Sequence, residues 1–121
     1  MAMDSGHRFA QQLKKGVLEM LVLQLLLEQP GHGYALIVRL RKESAGLLDL
    51  KEGTLYPILY RLEQEEYISS VWNTPDGTAS GKIPRRIYTV TEKGRQLLQQ
   101  EAEIWHQFVR CVDQQIGRNT V

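Results

Sequence analysis

Tyr56, Tyr60 and Arg61 lie close together in KEGTLYPILYRLEQEEYI at 51–68. They carry two phenolic hydroxyls and a planar guanidinium fork, donors that suit phosphate oxygens and base edges. Lys51 and Thr54 precede them with an ammonium group and a hydroxyl for acceptors of the same kind. Further along, Lys82, Arg85, Arg86, Lys93 and Arg95 are opposed by a single acid, Glu92. This set is built for holding a polyanion rather than for making or breaking bonds. The net charge of +1 does not argue against that. Phosphate neutralisation depends on the charges at the contact, not on the total.

Other chemistries find little support. No nucleophile pairs with a base, no glycine loop is shaped to cradle a phosphate, and no acid dyad is spaced for proton transfer, so an enzyme is not expected. His7, His32 and His106 are scattered, and no Cys/His or carboxylate cluster has metal-ligand spacing, so no metal or cofactor is expected. His32, between Gly31 and Gly33, reads as a helix-entry residue. Cys111 is the only cysteine, which excludes an intrachain disulfide and reads as a small apolar side chain. The run VLEMLVLQLLL at 17–27 is broken by Glu19 and Gln24 and is shorter than the ~20 apolar residues of a bilayer span. Met1 to Gly6 has no apolar signal-peptide core. A cytoplasmic protein without membrane contact is expected.

The elements that must position these groups follow from periodicity. Residues 1–8 carry no pattern and are expected to fray. Leu13 to Glu28 reads as a central helix, apolar on most sides, halted by Gln29-Pro30-Gly31. Gly33 to Ser44 reads as a second helix with Tyr34, Ile37, Val38 and Leu40 inward and Arg39, Arg41 and Lys42 in water; Gly46 suits the position past its end. Leu55, Ile58, Leu59 and Leu62 then anchor a third helix. That leaves Gly53, Thr54, Tyr56, Pro57, Tyr60, Arg61 and Gln64 outside. Pro57 is tolerated near a helix start, so either Thr54 is the N-cap or Gly53 and Thr54 form a distorted first turn.

After Glu66 the period changes. YISSVWNT at 67–74 and RRIYTVT at 85–91 flank PDGTASGKIP, rich in glycine, proline and serine, and together read as a hairpin. Thr91 is a good N-cap for a last helix running to about Ile116, with Glu92 at its positive end and Gly117 as its stop. The fold expected is mainly α with a small β-hairpin: a winged helix-turn-helix over 9–91, followed by one long C-terminal helix over 92–117. In such a fold the third helix enters the major groove while its inner face packs on the core.

Three blocks, KKGVLEMLVLQLLLEQPGHGYAL, EGTLYPILYRLEQEEYISSVW and RRIYTVTEKGRQLL, closely resemble the PadR family of bacterial transcriptional regulators. The resemblance covers roughly residues 14–98. It implies a homodimeric repressor on a palindromic DNA operator, with the C-terminal helix forming most of the dimer and a small molecule or environmental signal releasing DNA. By this similarity Lys51 to Glu65 is the recognition helix, with Thr54, Tyr56 and Tyr60 the foremost contacts; Lys51 and Arg61 join them on the strength of their own charges. Arg85 and Arg86, with Lys82 at the tip, would serve the wing, whereas Tyr34 and Tyr88 are structural. The chain departs from the family in having Lys51-Glu52 where Ser-Pro often opens the helix, and in a short last segment, so no phenolic ligand is carried over.

In that last segment Leu98, Trp105 and Val112 recur every seven residues, as do Leu97, Ile104 and Cys111. Such a stripe is too broad for one small core. A two-fold dimer is expected through Leu98, Ala102, Trp105, Phe108, Val109, Val112 and Ile116, assisted by residues 9–21. Trp105 and its symmetry mate could line a pore for a planar aromatic effector. The alternative is a winged-helix module that binds protein and lacks sequence-specific DNA binding; only DNA binding would weaken steeply with salt.

Overall fold

A computed structural model describes residues 2–73 and 84–117. The first helix, α1 (Ala2–Glu28), is the spine of the domain and buries Leu18, Val22, Leu23, Leu25 and Leu26. It begins well before Leu13, where the apolar period starts. Residues 2–12 contain no proline and one isolated glycine, and extending a helix that is already nucleated costs little. Arg39 closes its other end, donating to the carbonyls of Leu25 at 3.1 Å and Gln29 at 3.5 Å and pairing with Glu28 at 3.1 Å. An arginine read as solvent-facing therefore adds donors at the end of the helix, where the Leu25 carbonyl also accepts from the Gln29 N–H and intrahelical partners run out.

The second helix, α2 (Gly33–Glu43), buries Leu36, Ile37 and Leu40. Its stripe is rotated from the sequence reading: Tyr34 and Val38 are exposed, and Leu36 takes the inward position. The third, α3 (Glu52–Gln64), drives Leu55, Leu59 and Leu62 fully into the core. Truncating a leucine in such a place costs ~2–5 kcal/mol, so these three fix the roll of the helix and decide which residues stay outside.

Strands β1 (Ile68–Asn73) and β2 (Arg85–Val90) pair antiparallel, from Ile68 opposite Val90 to Asn73 opposite Arg85. Gly31, in the α1–α2 loop, exchanges backbone hydrogen bonds with Tyr88. This ties the hairpin's inner strand to the entry of α2, and the Tyr88 side chain is buried, in keeping with a structural role. Lys82 and most of the hairpin tip lie outside the described residues.

The last helix, α4 (Glu92–Gly117), starts as its sequence implies: the Gly94 N–H donates to Thr91 Oγ1 at 3.1 Å. Leu98 is only 7 % exposed, because the first turns of α4 complete the domain core. That corrects its assignment to the dimer face: a side chain already packed among its own chain's leucines has no surface left to offer a partner. Among the described residues, four helices and a hairpin, with α3 presented between α2 and the hairpin, make a winged helix-turn-helix.

Candidate nucleic-acid interface

The start of α3 is loosely capped. Lys51 is its N-cap residue, extended at φ −101° and ψ 157°, and its side chain caps nothing. The N–H groups of Thr54 and Leu55 both donate to the Lys51 carbonyl, at 3.0 and 2.9 Å. Of the two starts the sequence left open, Thr54 as N-cap is excluded and a tightened first turn is found. Pro57 falls in the second turn and supplies no N–H to the Gly53 carbonyl, so the helix is weakest where its outer residues cluster.

Tyr56 is 42 % and Tyr60 68 % exposed, with Gly53, Thr54, Pro57 and Gln64 also outside. The Tyr56 ring lies against the entry of α2: a Cβ on Gly33 would stand 2.8–2.9 Å from its ring and hydroxyl atoms. Only glycine there lets the ring settle in place.

Arg61 is placed differently from the tyrosines. Its Nη2 lies 2.6 Å from Glu19 Oε1 on α1, and Nη1 lies 3.6 Å from Glu65. Glu19 Oε1 is buried and receives no well-angled hydrogen bond, so the short approach of Arg61 is an ion contact. Behind it stands Glu101 of α4, whose carboxyl is pushed up to about 7 by burial and then by the neighbouring Glu19 carboxylate, with Arg61 opposing. Arg61 thus stitches α3 to the α1–α4 junction, with part of its guanidinium committed to Glu19 and the rest exposed.

The wing arginines are also engaged. Arg86 donates to Ser70 Oγ at 2.9 Å, approaches Glu63 at 3.7 Å and lies 5.3 Å over the Trp72 ring. Ser70 in turn hydrogen-bonds Glu63, so the hairpin is braced to α3. Arg85 meets His32. With Tyr34, Tyr56 and Trp72, these residues line a cleft of about 460 Å3 between α2, α3 and the hairpin. Tyr34, read as structural, is 56 % exposed at its rim. Lys93, counted in the basic run, donates to the Glu65 carbonyl at 2.9 Å and covers the Tyr67 ring, so this exposed cation caps the end of α3.

On the far side, α1 and α4 form an apolar groove of about 350 Å3 lined by Leu13, Val17, Met20, Ile104, Trp105 and Phe108, with Glu101 on its wall. Phe108, Val112 and Ile116 continue an exposed apolar stripe along α4, while Ala102 and Val109 are half-buried. Among the described residues no group of three or more His, Cys, Asp or Glu could hold a metal, and no helix is long and apolar enough to cross a membrane.

Comparison with known proteins follows the same lines. The Transcriptional regulator PadR-like family matches residues 22–100. A PadR family transcriptional regulator from Eggerthella lenta DSM 2243 superposes with a TM-score of 0.83 at 30% identity over 95% of both chains. A PadR-like regulator from Bacillus cereus matches at 28% identity and a TM-score of 0.72, over 87% of this chain and 96% of that one. Bacillus subtilis PadR, solved in complex with operator DNA, matches at 26% identity and a TM-score of 0.62, over 71% of this chain and 46% of that one.

Proposed function

The chain belongs to the PadR-like family of transcriptional regulators, and on that premise we propose that it is a homodimeric repressor that binds a palindromic DNA operator. One observation carries the reading. Leu55, Leu59 and Leu62 are wholly buried beneath α3, and Thr54, Tyr56 and Tyr60 stand exposed above them beside the wing. A helix held by its inner face and polar on its outer face suits the major groove. Thr54, Tyr56 and Tyr60 contact phosphates and base edges. Lys51 and the unpaired N–H groups of the first turn favour a phosphate at the helix start. Arg85, Arg86 and Lys82 follow the adjacent backbone.

Two such helices must be held one helical turn of DNA apart, and the α4 stripe supports a two-fold partner. Ile104, Trp105, Phe108, Val112 and Ile116 leave apolar surface that a second copy would cover. A planar aromatic effector fits the groove at Trp105, where stacking and apolar burial act together. By changing the angle between the α4 helices it would spoil the spacing of the reading heads. It can do so only by as much as it binds the two arrangements unequally.

Selection of bound sequences from random DNA, followed by anisotropy titration of the selected duplex, tests this. The expected result is a palindrome with half-sites about 34–36 Å apart, bound with a steep inverse dependence on salt. Alanine at Tyr56 and Tyr60 should each cost ~1–3 kcal/mol of binding in a folded protein. A protein that selects no sequence and whose associations ignore salt is a protein-binding module instead.

A further inference from the structure

The His32–Arg85 contact has a defect in its hydrogen bonding. A neutral imidazole has one donor and one acceptor nitrogen. His32 Nδ1 accepts from the Ala35 N–H at 3.2 Å, which caps α2 and requires a lone pair on Nδ1. The ring proton must then sit on Nε2. That nitrogen is 3.0 Å from Arg85 Nη1, which has only hydrogens to offer. The other tautomer moves the conflict to Ala35, and a protonated ring loses the cap altogether. Burial and then the Arg85 charge hold the imidazole below its usual range, so the neutral ring is the form present near pH 7. In the one arrangement that keeps the cap, two donors face one another without an acceptor between them.

A single anionic oxygen seated against both Nε2 and Nη1, which must part from 3.0 Å to admit it, removes the defect, since it accepts from both at once. The surroundings suit a phosphate on a nucleic-acid backbone. The pair lies in the cleft that also holds Arg86 and Tyr56, and among the described residues the one carboxylate lining it is Glu52. Tyr56 belongs to the face read above as the DNA-reading surface. We propose that His32 and Arg85 form a two-donor clamp on one backbone phosphate, locking the entry of α2 and the wing to the same strand. The inference rests on the DNA-binding reading and adds to it a specific partner for a histidine that is otherwise only a helix cap.

The test uses the full-length protein and its selected duplex. His32→Asn keeps an effective N-cap and withdraws the outward donor, its amide being too short to stand where Nε2 stands. Arg85→Gln removes the charge. Each is expected to weaken binding about five- to tenfold. The double variant should lose little more than either single one, because both substitutions empty the same clamp. Arg85→Gln lowers the salt slope by about 1, whereas His32→Asn leaves it unchanged because its donor is neutral. A scan with single methylphosphonate linkages, which are uncharged, should find one position that weakens the wild type but neither variant further. In the unmodified protein, 15N-resolved spectra should show the His32 Nε2–H tautomer, with a proton slow to exchange only in the complex. Wild-type affinity in H32N, full additivity in the double variant, or an Nδ1–H tautomer in the complex overturns the clamp. Failure of the wild type itself to bind any duplex would instead remove the DNA reading on which it stands.

Discussion

The two ends of α3 are built in opposite ways. At its C-terminal end, backbone groups are locked: Thr91 Oγ1 donates to the Glu66 carbonyl at 2.6 Å and Lys93 to the Glu65 carbonyl. Gly94 presses so close that a Cβ there would lie 2.0 Å from the Tyr67 carbonyl oxygen. At its N-terminal end, Lys51 caps nothing, Pro57 removes a donor, and Gly33 lies against the tip of a tyrosine ring that can swing away. The core and the start of α4 hold one end, and the other is left adjustable where contact with a ligand is proposed. Rigidity is placed where it sets the angle of the helix, and freedom where side chains must adapt.

The two glycines test this contrast most severely. Gly94→Ala sets a methyl against a backbone carbonyl that cannot rotate aside. The loss expected is about 3 kcal/mol, outweighing the ~1 kcal/mol that alanine gains in helix propensity. Thermal unfolding should fall by roughly 10 °C. Gly33→Ala meets only the far atoms of Tyr56, so stability should stay within about 0.5 kcal/mol of wild type. Its effect belongs to binding, with operator affinity down about five- to twentyfold as the displaced ring misses its contact. Equal thermal losses in both variants would mean that the N-terminal end is as rigid as the other.

Much of this was legible in the chain. The leucine spacing of α3, the Thr91 cap and the switch of period at the hairpin are local signals, and local signals give elements. What stayed hidden was the use made of the cations. Arg39, Arg61, Arg86 and Lys93 all looked like free surface charge, yet each is committed to a carbonyl or a carboxylate brought near by folding. His32 and Arg85 are 53 residues apart, and no periodicity joins them. Leu36 was missed because Tyr34 and Val38 made an equally regular stripe. Leu98 was misplaced because an apolar heptad cannot say which of its members face the chain's own core.

A second contrast concerns Glu101, on the locked side of the molecule. Its carboxyl is raised by burial and by Glu19 to about 7, against an ordinary value of 4.5. Between those values the folded chain holds a proton that the unfolded chain has released, so this group's contribution to stability is largest below 4.5. It declines as pH rises through about 7. Water reaches part of the site, so the component is on the order of 1 kcal/mol rather than the full value of the shift. Glu101→Gln, uncharged at every pH, should abolish it. The difference in unfolding free energy between wild type and variant, followed from pH 5 to pH 8, cancels the other titrating groups. A difference that does not change across that range removes the carboxyl pair from the account of the junction.

The smallest effect expected is the most informative about the adjustable end. Lys51→Ser supplies the side-chain cap that α3 lacks, and a serine in that position stabilises a helix by about 0.5–1 kcal/mol relative to a residue that cannot cap. If Lys51 did nothing else, the substitution would be an improvement on every measure. On the proposed reading it also removes a cation aimed at a phosphate, so the slope of log affinity against log salt should become shallower by about 1, with binding weaker at low salt. Stability and affinity are therefore expected to move in opposite directions. Affinity rising along with stability would show that looseness at the start of α3 is a defect, not a provision for contact.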